Sequence, residues 1–149
     1  MKLKNTSVYL LAGWMLAACS GGGFQKTENG VVVEVKQQQP TDVRKVRLEV
    51  MGEKLIHVSA TPEKEFSKEQ SLIVIPQQNK TDFKVEEQGD EVTVKTSELC
   101  AIVSKTTGEV RFTDTDGKQI LAEDSDGRTF TPVEVEGTKG YTAVSYTHL

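Results

Sequence analysis

Three observations predict an all-β chain folded as an antiparallel β-sandwich. Valine-rich runs alternate apolar and polar residues with period two, Gly and Asp turn signals separate them at near-regular spacing, and only Glu63 to Gln70 has a helical look. That last segment is short, charged and uncapped at its far end, so it carries little weight against the strand pattern.

In chain order, Val31 to Val35 is compact and β-branched. Val46, Leu48 and Val50 alternate with Arg47 and Glu49, the period of a half-buried strand. Gly52-Glu53-Lys54 turns into Leu55 to Ala60, which predicts a hairpin. Leu72 to Ile75 is a short buried strand stopped by Pro76. Phe83 and Val85 alternate again, and Gln88-Gly89-Asp90 turns into Val92 to Thr96. Leu99 to Val103, Val110 to Thr113, Gln119 to Leu121 and Pro132 to Val135 complete the strands, with turns at Thr107-Gly108, Asp116-Gly117 and Asp126-Gly127. No internal repeat is visible.

Ahead of the strands lies an export signal. Lys2 and Lys4 precede an apolar run from Val8 to Ala18 of 11 residues, against the roughly 20 needed to span a bilayer core. Leu16-Ala17-Ala18-Cys19 forms a lipobox, which makes Cys19 the lipid attachment residue: small side chains admit the peptidase, and only cysteine offers a nucleophilic thiolate. Residues 1–18 are then a signal peptide and 19–23 a lipidated, Gly-rich tether, with the sandwich over 24–143. Membrane attachment is expected through lipid alone. Ser20 after the cysteine predicts the outer membrane. Gly21 to Gly23, standing where an acidic export signal would be, favour its periplasmic face over the cell surface.

About 130 residues remain after cleavage, enough for one modest domain. A net charge of −4 with no basic face argues against a nucleic-acid partner. With Cys19 consumed as a thioether, Cys100 is unpaired and, within Leu99 to Val103, is expected to be a buried, inert thiol. Val144 to Leu149 matches, residue for residue, one reading frame of a transposase adapter used in sequencing libraries. These six residues are therefore read as adapter-derived, with the natural frame continuing beyond them and the sandwich incomplete; a genuine terminal strand is the alternative.

Little catalytic chemistry is visible. Asp114-Thr115-Asp116-Gly117 and Asp124-Ser125-Asp126-Gly127 begin like calcium loops but lack the third ligand and the closing Glu, so turns are expected and no metal site is implied. His57 lies opposite the Ile56 and Val58 face with no companion base or nucleophile, which predicts a solvated or hydrogen-bonded strand histidine. No nucleophile elbow, P-loop or dinucleotide fingerprint occurs, so neither a cofactor nor a catalytic residue is assigned. Trp14 leaves with the signal peptide. Phe83, Phe112 and Phe130 read as core, and Tyr141 is left as the sole candidate aromatic platform for a sugar.

The runs Val46 to Val50 with Leu55 to Pro62, and Val92 to Leu99 with Gly108 to Leu121, resemble the N-terminal, galactose-mutarotase-like β-sandwich of glycoside hydrolase family 31. The resemblance is particularly to the lipoprotein α-xylosidases of gut Bacteroidetes, over about Phe24 to Ala143; at the position of His57 that family commonly has arginine. The resemblance implies a sandwich packed against a (β/α)₈ barrel that holds two aspartates, a nucleophile and an acid/base, acting with retention. The nucleophile motif Trp-x-Asp-Met-Asn-Glu is absent from this sequence. What is implied is the N-terminal part of a retaining α-xylosidase or α-glucosidase whose substrate is a plant oligosaccharide such as a xyloglucan fragment. The other reading is a non-catalytic glycan- or protein-binding surface lipoprotein.

Overall fold

Residues 23–68 and 80–149 are described by the computed structural model. The segments read as signal peptide and as lipobox with Cys19, and the Leu72 to Ile75 run expected to be a strand, lie outside the described residues.

Among the described residues ten strands form two antiparallel sheets. The first is β1 (Phe24–Lys26), β2 (Gly30–Glu34), β3 (Lys45–Gly52) and β4 (Leu55–Thr61); the second runs β5 (Lys84–Gln88), β6 (Glu91–Lys95), β7 (Cys100–Ser104), β8 (Val110–Thr113), β9 (Gln119–Val135) and β10 (Thr138–His148). Every strand pairs with its sequence neighbour, so each sheet is a meander. Most of these connections are short, from the two residues between β3 and β4 to the five between β7 and β8, and connections so short return the chain antiparallel beside itself; only β2 and β3 are joined by a longer loop.

Register puts the valines inside. Val33 lies opposite Val46, and Val31 opposite Leu48. In the second sheet Val92 faces Val103 and Val94 faces Ala101. All eight are fully buried and form one apolar cluster with Val35, Val43, Val50, Val110 and Phe130. Charged residues at the alternate positions point away from it, as the period-two pattern requires.

Polar contacts also tie the sheets together. The Thr96 hydroxyl donates to the carbonyl of Glu53, in the β3–β4 turn, at 2.5 Å, and accepts from the Leu99 amide at 3.0 Å. The Lys36 amide donates to the Lys105 carbonyl at 2.9 Å. Satisfying these groups internally lets the loops close over the core without stranded donors.

On the outer face of the second sheet, Arg111 reaches across β7 to Glu91 with two bonds of 2.5 and 2.8 Å. These bonds hold the Glu91 carboxyl below its ordinary range and raise the Arg111 guanidinium. A carboxyl depressed in the folded state stabilises at neutral pH and loses that contribution as pH falls through its folded value. Both side chains are about 40 % exposed, so screening keeps the effect under about 1 kcal/mol. Arg111→Met is expected to lower stability by that amount at pH 7. The difference should shrink from about pH 4.5 downward, as followed by urea unfolding across pH.

Three expectations need correction. Glu63 to Lys68, the described part of the candidate helix, consists of bends and extended chain; its side chains are claimed by tertiary partners rather than by one another. Gly23, read as tether, accepts from the Glu34 amide at 2.5 Å and already belongs to the sheet edge. Asp126-Gly127 does not end a strand: Gln119 to Leu121 and Pro132 to Val135 are parts of the single strand β9, interrupted by a bulge. Within β9, Pro132 to Val135 pairs with Thr138 to Tyr141 of β10. The turn responsible is Glu136-Gly137, with φ of 50° and 79°, the two-residue left-handed form that suits the twist of a hairpin. Val144 to His148, five of the six residues read above as adapter-derived, form the end of β10 in this chain, with Val144 opposite Thr129 and Ser145 opposite Arg128.

Candidate functional site

The pairing of β8 with β9 covers only Gln119 to Ala122, so further along β9 is paired laterally by β10. The two strands leave the sheet as a ribbon, and its base is the most elaborated polar site among the described residues.

At that base one residue of β10, Tyr146, stands against four of β9, residues 124–127. The extra length folds through Asp126, whose φ is 57°. Gly127 is required there: a Cβ would lie 2.8 Å from the Asp124 carbonyl oxygen and 3.1 Å from that of Tyr146. The residues flanking the bulge, Glu123 and Arg128, then meet in a short ion pair with side chains only 10 and 11 % exposed. Glu123 also accepts from the Val110 amide at 2.8 Å and from the Ser145 hydroxyl at 2.7 Å. Arg128 donates to the Gly108 carbonyl at 3.2 Å. Gly108 itself, at φ 76°, sits against Val43 and Val35, and this contact joins the turn after β7 to the first sheet.

A cleft of about 400 Å³ opens here between the Lys36 to Val43 loop, the Thr106 to Glu109 turn and the bulge. Its walls are polar, but its best-buried charges are already committed to one another. With both oxygens of Glu123 occupied, the carboxylate holds the ribbon; it is not presented as a free acid or base.

The residues singled out by sequence are scattered. Cys19 is outside the described residues. Cys100 is a free, buried thiol in β7, as expected. His57 on β4 lies across from Glu49, with Nδ1 3.0 Å from its carboxylate, which is the hydrogen-bonded strand position anticipated. Asp114 caps the β8–β9 turn by accepting from the amides of Asp116 and Lys118 at 3.0 and 2.8 Å. Asp124 lies 2.7 Å from Nδ1 of His148. No group of three His, Cys, Asp or Glu suited to a metal ion occurs among the described residues. Phe130 is buried, while Phe83 and Phe112 pack on the core partly covered. Tyr141 is 37 % exposed; its ring meets Phe130 edge-on at 6.2 Å and its hydroxyl donates to Glu63.

Sequence reasoning missed Glu123 and Arg128. The signal was faint: opposite charges five apart on either side of an Asp-x-Asp-Gly run. Only a bulge brings such a pair together, because in an uninterrupted strand residues five apart point to opposite faces.

Residues 45–146 match the family described as the glycosyl hydrolase 31 N-terminal galactose mutarotase-like domain. The fold superposes on the crystal structure of a GH31 alpha-xylosidase from Xanthomonas citri with a TM-score of 0.76 and 36 % identity, covering 84 % of this chain and 13 % of that one. It also superposes on a GH31 alpha-xylosidase from a soil metagenome, complexed with xylose. There the TM-score is 0.58 and the identity 21 % over 74 % of this chain and 18 % of that one, a likeness of fold alone. This chain thus spans between an eighth and a fifth of the length of these proteins. On this match and this fold, the chain belongs to the glycosyl hydrolase 31 N-terminal galactose mutarotase-like domain family.

Proposed function

We propose that this domain is the N-terminal scaffold of a retaining α-glycoside hydrolase of α-xylosidase type, acting on plant oligosaccharides such as xyloglucan fragments. The carrying observation is the 36 % identity over 84 % of the chain with an α-xylosidase. In this reading the sandwich contributes no reacting group, and its two catalytic aspartates reside in a barrel encoded further on. The protein is delivered to the outer membrane, on its periplasmic face, by lipid on Cys19.

The ribbon supports a scaffolding role. Cross-strand partners share a face, so Thr129, Thr131, Val133 and Val135 line up with Val144, Thr142, Gly140 and Thr138. That face is wholly uncharged and exposed, unlike the charge-studded outer faces of the other strands. It suits packing against a neighbouring domain.

The test is to express the reading frame as it runs past Val144 in an independently assembled genome. Release of xylose from xyloglucan oligosaccharides, in preference to glucose from maltooligosaccharides, is the expected result. A stop codon at that point would overturn the proposal, as would a barrel without the two aspartates. Strong retention of the 149-residue chain by xyloglucan in affinity electrophoresis would point to a glycan-binding lipoprotein instead. Lipidation is checked separately, by loss of a metabolically incorporated fatty-acid label in Cys19→Ser.

A further inference from the structure

A two-stranded ribbon has little stability of its own in water. From Thr131 to the end of β10 every residue of this one is exposed. It nevertheless carries an aromatic anchor at mid-length. Tyr141, opposite Pro132, turns its ring onto buried Phe130 and its hydroxyl onto Glu63, a residue of the segment that follows β4. That contact crosses from the second sheet to the segment that leaves the first.

The segment it reaches is itself strapped over the outer face of the first sheet. The Pro62 carbonyl accepts from the Gln37 side chain at 3.0 Å, Glu65 approaches the Lys45 ammonium at 3.8 Å, and the Phe66 ring lies under the Arg47 guanidinium at 4.6 Å. Lys45 and Arg47 occupy the outward positions of β3, between the buried Val46 and Leu48. The strap is therefore fastened by side chains at its Glu65 and Phe66 end and to the ribbon at Glu63.

We infer that the Tyr141–Glu63 contact couples the ribbon to the strap, so that whatever orders one orders the other. Two marginal segments joined at one point share their ordering cost, and a coupling between them acts equally in both directions. A domain gripping the ribbon would thereby quiet the strap over the outer face of the opposite sheet. The device needs no catalytic activity and does not depend on the substrate proposed above.

Hydrogen exchange read by mass spectrometry on the 149-residue chain tests this. Tyr141→Phe keeps the ring on Phe130 and removes only the donor. Exchange is expected to speed up about fivefold, the scale of one net hydrogen bond, both in the ribbon amides 131–142 and in the strap amides 63–68. Glu63→Ala should do the same to both segments, and the double substitution should add nothing further. Core amides of β3 and β7 should be unchanged and serve as the check that the variants fold. Faster exchange confined to the ribbon in Tyr141→Phe, or effects that add in the double variant, would overturn the inference. So would unchanged exchange in both segments.

Discussion

Gly30→Ala should unfold or nearly unfold the domain. Gly30 opens β2 opposite Glu49 of β3. A Cβ placed there would lie 1.8 Å from the carbonyl oxygen of Leu48, 2.9 Å from its carbonyl carbon and 3.1 Å from the Cα of Glu49. All three are backbone atoms, so no rotamer change relieves the clash; β2 must move away from β3. The cost falls where the core is densest, because Val31 and Val33 follow directly and face Leu48 and Val46. Overpacking a core ordinarily costs about 1–3 kcal/mol and more against rigid atoms. A loss of at least about 3 kcal/mol is expected, a large share of the roughly 5–15 available to a domain. Gly89→Ala is the control. Unlike Gly30, Gly89 has a positive φ, of 60°, but nothing lies within 4 Å of its would-be Cβ, so only the left-handed penalty of about 1–2 kcal/mol applies. Urea midpoints of the two variants check the claim; a Gly30→Ala protein as stable as Gly89→Ala would refute it.

Second in size is the ion pair at the ribbon base. Glu123→Ala strands the Arg128 guanidinium, with its side chain 11 % exposed, and deprives the Val110 amide and the Ser145 hydroxyl of their acceptor. Breaking such a buried pair from one side costs about 3–5 kcal/mol, mostly because the remaining charge is left uncompensated. Glu123→Gln keeps an acceptor without the charge and should lose less. The Glu123→Ala/Arg128→Ala double variant should recover part of the loss, since no charge is then stranded. A double-mutant cycle by chemical denaturation measures this: a large coupling is expected, and simple additivity would remove the pair from its role. The ribbon should suffer before the core does, because Glu123 and Arg128 bracket the bulge from which the ribbon departs.

The sandwich was legible because its determinants are local and repetitive. Val46-Arg47-Leu48-Glu49-Val50 announces both a strand and the face it buries, and Gln88-Gly89-Asp90 announces a hairpin whose glycine does adopt a positive φ. His57 was placed correctly for the same reason, since its strand position turns it away from the Ile56 and Val58 face; Cys100 was placed by its apolar run, and it is buried although it alternates with the core residues Ala101 and Val103. The described part of the Glu63 to Gln70 segment, Glu63 to Lys68, misled because its charges suggest a solvated helix, whereas Glu65 lies near Lys45 and Phe66 under Arg47, both of β3. Such partners, about 20 residues back along the chain, leave no local signal.

β9 and β10 mark the division most clearly. Asp126-Gly127 and Glu136-Gly137 look alike as sequence, an acidic residue before glycine, and both place the acidic residue at positive φ. One is a bulge within a 17-residue strand and the other is the hairpin that turns it back. Local conformational preference is the same in the two, so it cannot choose between them. The choice is made by what the flanking residues can pair with: Glu123 and Arg128 find each other across the bulge, while Val135 finds Thr138 across the turn. Alternation and turn chemistry, written residue by residue, determined the fold class, the inward valines and the hairpin order of this protein. The long-range closure of charges, the buried pair at the ribbon base and the Tyr141 bridge to the segment after β4 were decided only in the tertiary structure, because they join groups that become neighbours only after the strands have paired.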